Sequence, residues 1–523
     1  MDKKWWTLIA VCTGVFMLLL DVTVVNVALP SIQRSLHASF SDLQWVINAY
    51  ALTLAAFLLT AGVLGDMFGR RLVFAAGLTG FSIASFVCGL SGSAVILDFA
   101  RAVQGIGGAV MFATSLALIA GAFSGKERGT AFGIYGAVLG GAVAIGPLVG
   151  GALTSGLGWR WIFFVNVPIG IAAVVITLSR VEESADPTKR KIDWIGFVTF
   201  SLSLFLLVLA LVRGNDEGWG STEIVGLLAG AVVVMAVFLI AEIRQSDPML
   251  DLALFKRPAM LGVSLSTFAL AASIFAMFLY MTLYIQDVLG YGPLAAGLRF
   301  LPITLLAFVA APIAGKLTVR FQSRYLLGTA LLLVAVGLAL MTGIDASSSW
   351  TVFLPGFVVA GVGIGMANPV IASASVSVVP PQRSGMASGS SNTFRSVGLA
   401  TGIAALGAVF QSQIHHKAFA ALARTATGRQ LVAHAGHALN TAFIEGGVRA
   451  VAATLHSASE SGVLLHAYRI GFTATLDDLT RIAAVVAFLG ALAAVLLIRQ
   501  RDFVPSYAAA PAGAPAPAPA EAH

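Results

Sequence analysis

The hydrophobic residues of this chain come in long runs separated by short polar turns. Each run has roughly 20 residues, which is the length that one α-helix needs to cross the hydrocarbon core of a bilayer. The pattern therefore predicts an all-α integral membrane protein with 14 transmembrane helices. The predicted spans lie near residues 6–30, 45–65, 72–92, 94–121, 130–153, 161–180, 194–213, 222–242, 258–284, 296–317, 325–343, 350–379, 386–410 and 476–499.

The basic residues are divided unequally between the two sides of the predicted helices. If the N-terminus is cytoplasmic, the short loops on the opposite side hold little beyond Arg34, Arg160 and Arg213. Cytoplasmic loops retain Lys and Arg, so this asymmetry predicts an even number of spans in the cytoplasmic membrane, with both termini cytoplasmic. The basic residues assigned to the cytoplasmic loops are Arg70, Arg71, Lys126, Arg128, Arg180, Lys189, Arg190, Lys191, Arg244, Lys256, Arg257, Lys316, Arg320, Arg324 and Arg383.

The spans divide into two bundles of six helices and an inserted pair. A weak internal repeat aligns residues 61–71, at the end of predicted helix 2, with residues 314–324, at the end of predicted helix 10. Parallel repeats of this kind are typical of transporters whose halves rock about a central site. The predicted divisions are the first bundle 1–180, two linker helices 181–257, the second bundle 258–500 with an external loop 411–475, and a disordered Ala/Pro-rich tail 501–523.

The predicted external loop 411–475 is moderately polar and carries six histidines from His415 to His466. Their spacing is irregular, whereas zinc sites use ligands at short, defined spacings. We interpret the segment as an exposed amphipathic loop with helical stretches such as 417–424, which covers the outer mouth. We predict no metal site there.

The composition agrees with a membrane protein. The 523 residues are 58% hydrophobic and only 11% charged, with a mean hydropathy of +0.91. About a quarter of the residues of a soluble domain are charged, so a soluble globule is excluded. The net charge of +7 comes from Lys and Arg at the ends of apolar runs, so we predict a lipid bilayer and no nucleic acid as partner. Cys12 and Cys88 lie in apolar runs, which excludes a disulfide framework.

A segment rich in glycine and charge ends predicted helix 2. Residues 62–71, Gly-Val-Leu-Gly-Asp-Met-Phe-Gly-Arg-Arg, resemble the loop signature between helices 2 and 3 of the major facilitator superfamily. Glycines permit close helix contact, and an interfacial carboxylate can pair with guanidinium groups. Topology anchors alone would explain the two arginines but not the acid. The resemblance implies a latch that closes the cytoplasmic gate, formed by Gly62, Gly65, Asp66, Gly69, Arg70 and Arg71.

Asp21 lies well inside predicted helix 1, in the segment 20–30. This segment is similar to the first-helix signature of the fourteen-helix drug/proton antiporters, the EmrB/QacA type of multidrug exporter. An ionised side chain inside a membrane helix costs about 2.5 to 3.5 kcal/mol on insertion scales, a cost that is tolerated where the group titrates. We hypothesise that Asp21 binds the coupling proton; a fixed structural role is the alternative. Asn26 is a candidate residue for substrate binding or coupling.

Predicted helix 4 carries residues 97–108, which resemble the helix 4 motif of the same family. The resemblance implies a role in proton coupling for Arg101, with Asp98 and Gln104 as further candidates for substrate binding or coupling. Asp98 and Arg101 are three residues apart on one helical face, so they could instead neutralise each other. The glycines at 105–108 follow no strand, so we interpret them as a packing surface rather than a nucleotide loop.

Predicted helix 5 carries a series of small residues. Together with Pro147 they resemble the antiporter motif that separates exporters from symporters in the superfamily. Small residues make a flat face for a neighbouring helix, and a proline deletes one backbone hydrogen bond and bends the helix. The residues assigned to this antiporter helix are Gly133, Gly146, Pro147, Gly150 and Gly151.

Residues 159–170 and 392–398 also look like the fourteen-helix antiporters. The second segment contains Arg395, an intramembrane cation. Arg395 is either a residue of the substrate or coupling site or a partner for the latch, and the sequence does not decide between these roles.

Several chemistries are absent from the sequence. There is no Gly-x-x-x-x-Gly-Lys-Ser/Thr loop, so ATP does not drive transport directly and no cofactor is predicted. The predicted spans lack histidine, which argues against an enzyme. No acid lies in the middle of predicted helices 10 or 13, so we expect dicationic compounds to be poor substrates.

The sequence thus predicts a proton-coupled antiporter, functional as a monomer, that exports small amphipathic drugs or toxic compounds. A dedicated exporter of one metabolite, such as an antibiotic, an amino acid or a lipid precursor, is the alternative.

Overall fold

The computed structural model describes most of the chain. The predicted tail beyond residue 504, His37 and the basic residues Lys189, Arg190, Lys191 and Arg383 lie outside the described residues, as do the side chains of Asn26 and Pro147. The described ranges are residues 2–36, 38, 40–184, 193–245, 250, 252–318, 320–380, 384–445, 448–455 and 457–504.

The described residues form helices and no strands. Helix α9 spans 258–288 and contains two short π-helical stretches, Ala271–Phe275 and Tyr284–Val288. A short helix, Pro293–Arg299, precedes α10. The other α-helices are α1 Lys3–Leu36, α2 Phe40–Phe68, α3 Arg70–Leu90, α4 Ala94–Ala122, α5 Gly125–Gly156, α6 Trp161–Arg180, α7 Trp194–Glu217, α8 Thr222–Arg244, α10 Leu301–Leu317, α11 Ser323–Ala339, α12 Leu354–Ser377, α13 Ser384–Ala423, α14 Ala426–Glu445, α15 Val448–Thr454 and α16 Ala458–Leu497.

The all-helical membrane fold predicted from the sequence is confirmed. A helix overlaps each of the 14 predicted spans. Among the described residues, ten helices are long and apolar enough to cross a bilayer, or eleven when the two parts of the bent α2 are counted as one span. Helices α10 and α11 are apolar but shorter. The total of 14 spans therefore stays a prediction.

The predicted external loop 411–475 is largely helical, and the helices continue beyond the predicted span ends at 410 and 476. Helix α13 continues to Ala423, α14 and α15 follow, and α16 already begins at Ala458. The reason is packing: Phe443 is fully buried and its ring stacks on that of Tyr468, with 5.9 Å between centroids. The hydropathy of a span marks the edge of the bilayer, whereas a helix continues as long as its apolar face has a partner.

Two groups of helices pack within themselves. Helices α1 to α6 form one group, and α9 to α13 with α16 form the other. The groups meet where α2 crosses α13 and where α5 runs along α10, and the pair α7–α8 packs against α2 and α13. Helix α8 exposes most of its apolar side chains, including Val232 and Ile243, as expected for a helix that faces lipid.

Candidate functional site

The most buried charges of the first helical group are Asp21 on α1 and Arg101 on α4. Arg101 Nη1 donates a hydrogen bond to Asp21 Oδ2 at 2.5 Å, and the two side chains are 0% and 2% exposed. The sequence left open whether Arg101 pairs with Asp98 on its own helix. The ion pair instead joins α1 to α4, and Asp98 is half-buried. Two opposite charges in contact lower the cost that each would have in a low-dielectric interior.

Two amides complete the shell of the Asp21 carboxylate. Gln104 Nε2 and Asn166 Nδ2 each donate to Asp21 Oδ1 at 3.0 Å. Gln104 Oε1 in turn accepts from Arg101 Nη1 at 2.8 Å. The carboxylate thus accepts from three donors on α4 and α6, in a network that polarises each bond.

Aromatic and backbone groups hold the guanidinium from its other side. Arg101 Nε donates to the carbonyl oxygen of Val46 at 3.0 Å, and its carbon Cζ lies 4.2 Å from the ring centre of Tyr50. Phe163 lies at 5.9 Å. These rings shield the ion pair from water while stabilising the cation.

Asn166 was missed by the sequence analysis as a site residue, although the segment that contains it was singled out. Its side chain also donates to Ser85 Oγ at 3.0 Å, and Ser85 donates to the carbonyl oxygen of Phe163 at 2.9 Å. The available signal was an amide within an otherwise apolar run. An uncharged amide costs far less in a membrane helix than a carboxylate, so it is a weaker signal than Asp21.

Arg395 lies on α13, in the second helical group. Its Nη2 donates to Asn368 Oδ1 on α12 at 2.9 Å. The structure does not bring Arg395 to Asp66, whose oxygens accept from Arg70 and from the start of α13. Arg395 instead lines a small cavity between the two helical groups, of about 10 Å³, or room for about one water molecule.

Of the predicted latch residues, Gly62, Asp66 and Arg70 meet at the junction of α2 and α13. Asp66 Oδ1 accepts from Arg70 Nε at 2.9 Å and from Nη2 at 2.8 Å. The same carboxylate accepts from the backbone amides of Gly385 and Met386, each at 3.0 Å. These amides form the N-terminus of α13, which favours a negative charge. Asp66 thus connects the two helical groups.

The three glycines of the predicted latch each have a neighbour too close for a side chain. A Cβ at Gly62 would overlap with the carbonyl oxygen of Gly385, and a Cβ at Gly65 would lie 2.6 Å from Thr114 Cγ2. Gly69 has φ of +100°, a conformation that favours glycine. A Cβ there would also lie 2.6 Å from Cδ of Glu183.

Arg71 and Arg70 contact different carboxylates. The backbone amide of Arg71 donates to Glu183 Oε1 at 3.0 Å, and its Nε lies 3.6 Å from Glu183 Oε2. Glu183 follows α6, so Arg71 ties α3 to the end of the first helical group. Of the two predicted latch arginines, Arg70 is the one that binds the Asp66 carboxylate.

The small residues of α5 face two different neighbours. Gly146 and Gly150 lie against Thr23 and Val24 of α1, whereas a Cβ at Gly133 would lie 2.8 Å from Cα of Pro312 on α10. Gly151, assigned to the same antiporter helix, takes no part in these close contacts: a Cβ at Gly151 would have no atom within 4 Å. The face repeats roughly every four residues, so the adjacent glycine points away from both helices.

Among the described residues, no group of three or more His, Cys, Asp or Glu side chains is arranged to hold a metal ion. The arrangement provides a buried ion pair between α1 and α4, and a close junction between the two helical groups at α2 and α13.

Comparisons with known proteins identify relatives over most of the chain. The sequence profile of the Major Facilitator Superfamily matches residues 11–403. The tetracenomycin C resistance and export protein of Streptomyces glaucescens is 36% identical over 79% of this chain and 77% of its own length. The multidrug resistance protein Stp of Mycobacterium tuberculosis is 37% identical over 77% of this chain and 75% of its own length.

A solved structure has the same arrangement of helices. The human organic anion transporter MFSD10 superposes with a TM-score of 0.60, covering 93% of this chain and 100% of its own, at 14% sequence identity. At this identity the similarity concerns the fold alone.

Proposed function

Because this chain belongs to the major facilitator superfamily, we propose that it exports small amphipathic drugs or toxic compounds across the cytoplasmic membrane in exchange for protons. Proteins of this superfamily are multi-pass membrane transporters of small molecules rather than enzymes. The relatives named for drug resistance and export support the direction of transport.

The buried pair of Asp21 and Arg101 is the observation that supports proton coupling. When Asp21 is ionised, it binds Arg101 and the amides of Gln104 and Asn166. A proton that enters from outside neutralises the carboxylate and abolishes the attraction between α1 and α4. This change can bias the two helical groups toward their other arrangement, and release of the proton to the cytoplasm restores the pair.

The remaining parts of the proposal concern the whole chain. Residues 1–180 and 258–500 form two rocking bundles, residues 181–257 supply the inserted helices α7 and α8, and both termini face the cytoplasm. The Asp66 latch holds the cytoplasmic side closed. One chain contains both bundles and the coupling carboxylate, so a monomer is sufficient for transport.

The decisive test compares wild type with Asp21→Asn in proteoliposomes under an imposed pH gradient. Asparagine keeps the shape of the side chain but cannot bind a proton. We expect the wild type to move neutral and singly charged dyes when the gradient is imposed and dicationic dyes poorly. Asp21→Asn should lose the gradient-driven transport and keep dye binding. Intact proton exchange in Asp21→Asn would remove this carboxylate from the mechanism.

A narrower function, export of one metabolite, is favoured by the relative that is named for a single antibiotic, tetracenomycin C. Transport of a broad panel of dyes supports multidrug export. Transport restricted to one structural class supports a dedicated exporter.

A further inference from the structure

We propose that the cavity between the two helical groups recognises acidic amphipathic compounds, with Arg395 binding the carboxylate or acidic phenol and an apolar wall binding the ring system. This inference rests on the proposed export function and names its substrate class.

The cavity is built from both helical groups. Phe112, Leu116 and Leu139 line it from α4 and α5, and Asn368 and Arg395 line it from α12 and α13. A site shared by both groups changes shape whenever they move relative to each other, as the central site of a rocking transporter must. The narrow room in this closed arrangement is consistent with a substrate that enters when one side opens.

The charge at this cavity is positive and is not neutralised by the protein. Arg70 and Arg101, the two most deeply buried arginines of the first group, each bind a carboxylate, at 2.8 Å and 2.5 Å. Arg395 has a neutral partner, Asn368, and its Nε is buried without a hydrogen-bond partner. Within the described part of the chain, no carboxylate forms an ion pair with Arg395. A cation buried in the membrane without a counter-ion is costly, and an anion that binds beside it lowers this cost. Arg395 is therefore suited to bind an anion.

The neighbouring polar groups form hydrogen bonds within the protein, so the guanidinium of Arg395 is the main donor available to a ligand. Asn392 Nδ2 donates to the carbonyl oxygen of Phe112 at 3.2 Å, and the hydroxyl of Tyr135 shares a hydrogen bond with Ser115 Oγ at 3.0 Å. Planar guanidinium matches a carboxylate with two parallel bonds, so an acidic compound gains a bidentate contact that a neutral or cationic compound cannot form.

The proposal is tested by binding to purified protein in detergent. Three matched anthraquinones serve as probes: one with a carboxylate, its methyl ester, and its tertiary-amine amide. Since one charge-assisted hydrogen bond corresponds to about a tenfold change in affinity, we expect wild type to bind the acid at least about tenfold more tightly than the ester or the amine.

Three variants and a control distinguish an effect of the Arg395 charge on binding from a loss of folding. Arg395→Gln removes the cation, and Asn368→Asp keeps an oxygen beside Arg395 but neutralises it with an ion pair. Both should reduce the preference for acid over ester by about tenfold, while Arg395→Lys retains part of it. Arg469→Gln is the matched control, because Arg469 is bound to the carbonyl oxygen of Ser348, outside the cavity. Binding of the ester reports whether each variant is folded.

Equal binding of acid and ester by wild type overturns the proposal, as does an acid preference that survives in Asn368→Asp. Transport under a pH gradient is measured separately with the acid and with the ester. If wild type binds the acid selectively but transports neither probe, the proton-coupled export function fails and the anion site stands. If wild type exports the ester but binds acid and ester equally, the export function stands and the anion site fails.

Discussion

At the scale of single residues, the proposed proton coupling depends on how many groups hold the Asp21 carboxylate. Asn166 is the one that comes from α6, and it contacts both Asp21 and Ser85. Because a hydrogen bond to a charged group is worth about 1.5 to 3 kcal/mol, its loss should change the position of the coupling equilibrium strongly.

We therefore predict that Asn166→Ala reduces proton-driven export by about tenfold or more. The matched control is Ser85→Ala, which removes the second partner of Asn166 but leaves its bond to Asp21, and we expect a reduction of less than about threefold. Both are measured as initial rates in proteoliposomes at a fixed pH gradient. Equal rates for Asn166→Ala and wild type would show that the amide only fills space.

The sequence predicted part of this network and missed its geometry. Asp21 and Arg101 are conspicuous because ionisable residues are costly inside apolar runs. The sequence does not show that these two residues pair, because Asp98 is only three residues from Arg101 and is the nearer acid along the chain. The contact between Asp21 and Arg101 depends on the crossing of α1 and α4, which is set by tertiary packing.

At the scale of helices, α5 is the element whose packing most directly limits substitution. A Cβ at Gly146 would overlap with Oγ1 of Thr23 on α1, whereas Gly151, five residues along, faces open space. Overpacking of a tight contact costs about 1 to 3 kcal/mol.

Gly146→Ala should therefore lower the melting temperature of the purified protein and impair transport, while Gly151→Ala leaves both unchanged. Adding Thr23→Ala to Gly146→Ala removes the hydroxyl in question and should restore part of the stability. Thermal unfolding followed by fluorescence gives the comparison. Identical melting curves for the two alanine variants would contradict the close contact between α5 and α1.

Helix boundaries were predicted less well than helix existence. The predicted spans were placed by hydropathy, so the prediction ended α13 and began α16 near the expected edge of the bilayer. In the structure each of these helices has 40 residues. What extends them is the aromatic packing of Phe443 and Tyr468 beyond that edge, which no window of mean hydropathy detects.

At the scale of the whole molecule, the proposed orientation makes a direct prediction about which turns face outward. Gly220, between α7 and α8, and Gln322, before α11, are both exposed. In a background with Cys12 and Cys88 replaced by serine, Gly220→Cys should react with a membrane-impermeant maleimide in intact cells and Gln322→Cys should not. Inside-out vesicles should reverse the result. Labelling of both positions from one side would contradict the proposed topology.

In the proposed orientation, backbone contact between the two helical groups closes the cytoplasmic side. Gly62 and Gly385 approach so closely that a Cβ at Gly385 would overlap with Asp66 Oδ1 and with the carbonyl oxygen of Gly62. A second contact joins Gly129 on α5 to Gly315 on α10. Both contacts lie at the ends of the helices that the basic residues assign to the cytoplasm, so they must separate together when that side opens.

Gly385→Ala should consequently prevent closure and hold the cytoplasmic side open. The reporter is Ser391→Cys, since Ser391 lines the cavity and is only 3% exposed when the groups are closed. In inside-out vesicles we expect a membrane-impermeant maleimide to label this cysteine at least about tenfold faster in the Gly385→Ala background, because a shift of about 1.4 kcal/mol in the opening equilibrium changes the open population tenfold. Gly151→Ala provides the matched background in which labelling stays slow. If both backgrounds label at the same slow rate, the contact between Gly62 and Gly385 does not control access to the cavity, and the contact between α5 and α10 is sufficient to keep it closed.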